Sequence, residues 1–131
     1  MTAPDEEMLD ELAKPIIERT GNCWEASFNK LIEMAADPEV RLVHGLPTGT
    51  GGNAAKVGVY PHAWIEKGGM CWDCSVDSWL HRGVYYLVGN ITYSVSYTRL
   101  EALRAIEKHE TFGPWAPAII ARDAEIDRMF G

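Results

Sequence analysis

The segment from Val59 to Ser75, VYPHAWIEKGGMCWDCS, constrains this chain most. Two strand-like runs, Val59–Glu66 and Met70–Ser75, flank Lys67-Gly68-Gly69. Glycine adopts the positive φ of a tight turn without steric cost, so the segment predicts an antiparallel β-hairpin. Side chains alternate between the two faces of a strand, and the register therefore decides which of them can meet. With Gly68-Gly69 as a two-residue turn, Lys67 opposes Met70, Asp73 faces Trp64, and His62 and Asp73 are diagonal neighbours on one face. With Lys67-Gly68 as the turn, His62 faces Asp73 directly. A loop of odd length would send the two to opposite faces.

Around this hairpin the spacing of apolar residues predicts an α+β domain spanning residues 1–131. Met8, Leu9, Leu12, Ile16 and Ile17 recur at helical intervals between Asp5 and Arg19, in a helix kinked or broken at Pro15. Trp24, Phe28, Leu31, Ile32 and Ala35 do the same in a second helix over Cys23–Ala36, ended by Asp37-Pro38. Val40–Leu46 reads as a strand, and the Gly-rich stretch Pro47–Gly58 as a loop with the character of a lid. Val76–Gly89, with VYYLV, fits either a strand or a short helix. Asn90–Tyr97 alternates as a third strand of the same sheet. Thr98 and Glu101 then form a capping box for a helix to about Lys108. GPWAP reads as loop, followed by a short amphipathic helix over Asp123–Phe130.

Composition excludes several function classes. A net charge of -7 with twelve scattered Lys and Arg offers no phosphate-binding stripe, so no nucleic-acid partner is expected. The same acidity disfavours an anionic membrane surface, and no apolar run is long enough to cross a bilayer. MTAPDEEMLDEL is acidic where a secretory signal is basic. Three cysteines cannot all pair, which fits a reducing compartment, and a cytoplasmic location is the expectation.

Cys23 opens the second helix, where unpaired backbone N–H groups and the helix dipole favour a thiolate and can donate to a developing oxyanion. An Asp held against one imidazole nitrogen fixes the tautomer of His62 and leaves the other nitrogen to take a thiol proton. Cys23, His62 and Asp73 are thus the candidate catalytic residues. Asn22, Trp24, His44 and Trp64 are candidates for oxyanion or substrate contacts, with Trp24 and Trp64 as walls of a groove. His44 reads as a strand-end residue lining the cleft or satisfied in the core, and His81 and His109 as surface residues.

GNCWEASFNKL, YPHAWIE and CWDCS, in that order, resemble the Cys-helix, His-strand, Asp-strand core of papain-like and transglutaminase-like enzymes. More narrowly, GNCWE, LVHGLPTG, PHAWIE, WDCS, VYY and FGPW resemble a family of small bacterial and bacteriophage proteins over about residues 21–117. The resemblance implies a papain-like core with N-terminal helices on a small antiparallel sheet. It also implies Cys23 as nucleophile, His62 as general base and acid, and Asp73 as orienter. The papain oxyanion Gln would fall six residues before Cys23, where this chain has Ile17, so oxyanion stabilisation must come from elsewhere.

The expected function is that of a thiol-dependent hydrolase or acyltransferase acting on a peptide, isopeptide or other amide bond of a peptide or protein substrate, with no cofactor and no metal. A catalytically silent module that binds a host or partner protein is the alternative. A zinc or redox role for Cys71-Trp72-Asp73-Cys74 is disfavoured, because Cys71 and Cys74 point to opposite faces of a regular strand.

Overall fold

A computed structural model describes residues 23–49 and 57–130. The expected helix over Asp5–Arg19, Asn22 and most of the Gly-rich loop lie outside the described residues. Among the described residues four helices, α1 (Cys23–Glu33), α2 (Arg82–Gly89), α3 (Arg99–His109) and α4 (Pro117–Phe130), accompany five strands. These are β1 (Arg41–Gly45), β2 (His62–Lys67), β3 (Met70–Asp73), β4 (Ser78–His81) and β5 (Ser94–Tyr97). Together they form one antiparallel sheet in the order β4-β3-β2-β1-β5.

The hairpin turns on Gly68 and Gly69, at φ +55 and +78, and Lys67 pairs with Met70. Two successive positive φ values are the signature of the two-residue turn whose twist matches the strands it joins. Of the two even registers open to the sequence, the Gly68-Gly69 one is adopted.

Strict alternation then sorts the sheet into two faces. Leu42, Ile65 and Trp72 enter one apolar cluster with Phe28 and Leu31 of α1 and Ala102 of α3. Val43, Trp64 and Cys71 enter the other with Leu80 and Tyr85 of α2. Both faces are therefore covered, which is why the central strands β1 and β2 carry almost no exposed side chain.

Val76–Gly89, open in the sequence, divides into β4 and α2. His81 makes the division: its Nδ1 accepts from Gly83 N at 3.2 Å and caps α2, so the surface histidine has a structural task. Asn90, expected to begin a strand, instead caps the other end of α2 in the left-handed region, and β5 starts only at Ser94. β5 pairs with β1 at the sheet edge, Val95 opposite His44. The Thr98–Glu101 capping box is formed on both sides, with Glu101 N to Thr98 Oγ1 at 3.1 Å and Thr98 N to Glu101 Oε1 at 2.9 Å.

The last helix begins at Pro117, six residues before the expected Asp123. Proline fits a first helical turn, where its fixed φ suits and its missing N–H is not needed. Ile119, fully buried, anchors the helix, and Arg122 clips it to the segment entering β2 by donating to the Val57 and Val59 carbonyls, each at 2.6 Å. Among the described residues no helix is long and apolar enough to cross a membrane.

Gly45 pairs with His62, and a Cβ there would lie 2.4 Å from Trp64 Cη2 and 2.7 Å from the Tyr93 carbonyl oxygen. The backbone oxygen cannot step aside, so Gly45→Ala is expected to cost about 1–3 kcal/mol in urea unfolding. An unchanged midpoint would show that β1 and the Trp64 ring separate at no cost.

Candidate active site

β2 opens on His62 and β3 closes on Asp73, and the Gly68-Gly69 register brings them together. His62 Nε2 lies 2.8 Å from Asp73 Oδ2, with His62 at 1 % and Asp73 at 0 % exposure. Asp73 also closes the turn into β4: its Oδ1 accepts from Ser75 N at 2.8 Å, and Asp77 N donates to its carbonyl at 2.9 Å. The turn-closing and ring-orienting roles fall on separate oxygens of one carboxylate, so the turn holds Oδ2 where the imidazole needs it.

A residue that the sequence reading did not single out completes this arrangement. Tyr85 of α2, 4 % exposed, donates its hydroxyl to Asp73 Oδ2 at 2.5 Å. Its only advance signal was the VYY in a stretch of undecided structure; once α2 forms, Tyr85 points inward. The next residue, Tyr86, donates to Glu66 Oε2, which also receives Trp64 Nε1 at 2.8 Å, while Arg82 Nε donates to Glu66 Oε1 at 2.9 Å. Consecutive tyrosines thus tie α2 to the two carboxylates on its face of the hairpin.

His62 lies on the α2 face, its ring stacked on Trp64 with centroids 6.2 Å apart. Trp64 is fully buried, so it floors the imidazole from within the core and cannot wall an exposed groove. Alternation along β2 places Trp64 on the His62 face but carries no information on depth. Trp24 of α1 is half-buried.

Cys23 is the first described residue of α1 and is 1 % exposed. The direction of α1 over the sheet follows from two contacts. Trp24 meets the His44 ring edge-on at 4.8 Å, and Lys30, further along, sits 5.0 Å from the centre of the Trp72 ring. His44 pairs with Ala63, next to His62, so the Cys23 end of α1 lies at the end of the sheet where β2 begins.

His44 differs from expectation. It is fully buried among Trp24, Tyr97 and Trp115, with ring centroids 4.7–5.2 Å away, and neither ring nitrogen has a hydrogen-bond partner among the described residues. It therefore neither lines an open cleft nor is satisfied in the core. Burial, helped by the nearby His62, holds its pKa down to about 3, so it is a neutral imidazole at ordinary pH.

Cys71 and Cys74 pack in separate clusters on opposite sheet faces, and none of the three cysteines is in a disulfide. Burial pushes the Cys71 thiol far above its usual range, which makes it inert. Among the described residues no group of three or more His, Cys, Asp or Glu is placed to hold a metal ion.

No family model, curated protein or solved structure matches this chain. A functional reading therefore rests on the chemistry of these side chains.

Proposed function

We propose that the protein is a thiol-dependent hydrolase or acyltransferase with a papain-like core, in which Cys23 is the nucleophile and His62 the general base and acid, oriented by Asp73. The observation that carries this reading is the buried His62–Asp73 pair. Removing a carboxylate and an imidazole from water is costly, and such a pair is a weak route to stability. Buried, coupled, titratable pairs cluster instead at reactive sites.

In the reaction, the Cys23 thiol passes its proton to His62 Nδ1, the ring nitrogen not engaged by Asp73. The thiolate adds to a carbonyl carbon, and His62 returns the proton to the departing amine as the thioester forms. Water, or an amine acceptor, then attacks the thioester and releases the thiol. Asp73 stays ionised throughout and stabilises the imidazolium. A peptide or protein amide is the substrate class this chemistry serves, and Trp24, beside the nucleophile, is the aromatic surface available to it.

An activated acetyl ester tests the reading without a known substrate. Incubation with p-nitrophenyl acetate is expected to place one acetyl group on Cys23, seen by mass spectrometry of the peptides, and Cys23→Ala or His62→Ala is expected to lose it. Acetyl spread equally over the cysteines, or undiminished in His62→Ala, would refute the triad. Binding of a partner protein that survives Cys23→Ser while the native thiol acquires no acetyl would favour a silent binding module.

A further inference from the structure

We propose that Tyr85 is a positioning residue for the His62–Asp73 pair, holding the carboxylate oxygen that receives His62 and setting the pH range over which His62 keeps its proton. The inference rests on the triad reading for its catalytic meaning, but its physical content concerns His62 alone.

Ser75, His62 and Tyr85 converge on Asp73, and the last two share one oxygen. Ser75 N occupies Oδ1, while His62 Nε2 at 2.8 Å and the Tyr85 hydroxyl at 2.5 Å both address Oδ2. Tyr85 is held from several sides: it packs with Val43, Trp64, Cys71 and Leu80, its ring lying 5.4 Å from that of Trp64. The neighbouring Tyr86–Glu66 and Arg82–Glu66 bonds fasten α2 to β2. The hydroxyl is therefore delivered by a packed element, and Asp73 cannot turn away from His62 without abandoning both a backbone and a phenolic donor.

The electrostatic consequence has a definite sign. A hydroxyl donor stabilises the carboxylate most when its other partner is a neutral imidazole, because an imidazolium already compensates the charge. Removing the hydroxyl penalises the deprotonated state of His62 more than the protonated state. His62 then holds its proton to higher pH, and the window in which it can act as a base narrows from below.

The test is NMR titration of His62 in a Cys23→Ser background, which removes the thiol from the equilibrium. Tyr85→Phe is expected to raise the His62 midpoint by about one pH unit, the scale of one hydrogen bond to a charged group. Tyr86→Phe, which deletes the matching hydroxyl from Glu66, is expected to leave it in place. An unmoved or lowered midpoint in Tyr85→Phe would overturn the proposal, as would an equal shift in Tyr86→Phe. If Tyr85→Phe fails to fold, the Cys23→Ser protein with native Tyr85 still decides: the Tyr85 Cζ resonance is expected to titrate with the His62 midpoint, and a flat Tyr85 signal refutes the link. A failed acetylation test with a positive titration would remove the catalytic reading and leave Tyr85 in place; the reverse result would remove only Tyr85.

Discussion

Asp73→Ala is expected to lose about 3–5 kcal/mol of folding stability, because it strips a buried imidazole, a buried phenol and a turn amide of their common acceptor. The imidazole and the phenol are buried away from water, so the penalty is chiefly the desolvation of what remains and not the loss of one contact. Asp73→Asn separates architecture from chemistry. The amide keeps the shape and can still accept from Ser75 N, so the fold should survive with a loss of about 1–3 kcal/mol. The charge that stabilises an imidazolium is gone, however, and the amide NH2 presents a donor toward a ring nitrogen that needs an acceptor. Acetylation of Cys23 in Asp73→Asn is expected to fall by about a thousandfold. Urea unfolding and the acetylation rate, measured on both variants, check the two halves separately. Equal stability of Asp73→Ala and the wild type would show that the buried network contributes nothing to folding.

His44 gives the second large effect, in acid. Its folded pKa of about 3 lies below the unfolded value near 6.5, so between these limits the unfolded chain binds a proton that the folded protein refuses. Stability is unaffected by this group above about pH 6.5 and falls as the pH drops, at up to about 1.4 kcal/mol per pH unit, levelling off below pH 3. The accumulated loss is roughly 3 kcal/mol at pH 4. Carboxylates also contribute to acid unfolding, so the informative quantity is a difference. His44→Phe keeps a ring among Trp24, Tyr97 and Trp115 but cannot titrate. Its stability is expected to fall less steeply than that of the wild type between pH 6.5 and 4, whatever its offset at neutral pH. Parallel curves would mean that His44 is protonated in the folded state or reached by water.

The parts of this fold that the sequence announced are those set by local chemistry. Lys67-Gly68-Gly69 marks a tight turn by its glycines, and either two-residue turn within it joins His62 to Asp73 on one face; the Gly68-Gly69 turn is the one adopted. Thr98 and Glu101 cap α3 through side chains three residues apart, which needs no tertiary context. The parts that were not legible depend on depth and on partners. Trp64 and His62 share a face, but only packing against Tyr85 and Tyr86 makes Trp64 a buried floor instead of a groove wall. VYYLV carries strand and helix propensity together, and the cap supplied by His81 and the αL residue Asn90 decide for helix. Tyr85 was invisible for the same reason, since its role exists only once α2 is a helix. The strand pattern of Val40–Leu46 likewise places His44 near a strand end without revealing that aromatic rings close round it.

If His62 activates Cys23, the rates at which the three thiols react with iodoacetamide at mildly acidic pH reveal it. Exposure alone would rank half-buried Cys74 first, with Cys23 at 1 % and Cys71 at 0 % exposure trailing. The triad predicts the opposite order: Cys23 is alkylated before Cys74, Cys71 stays unmodified, and His62→Ala abolishes the preference for Cys23. Labelling that follows exposure, or a Cys23 rate indifferent to His62→Ala, would contradict the account.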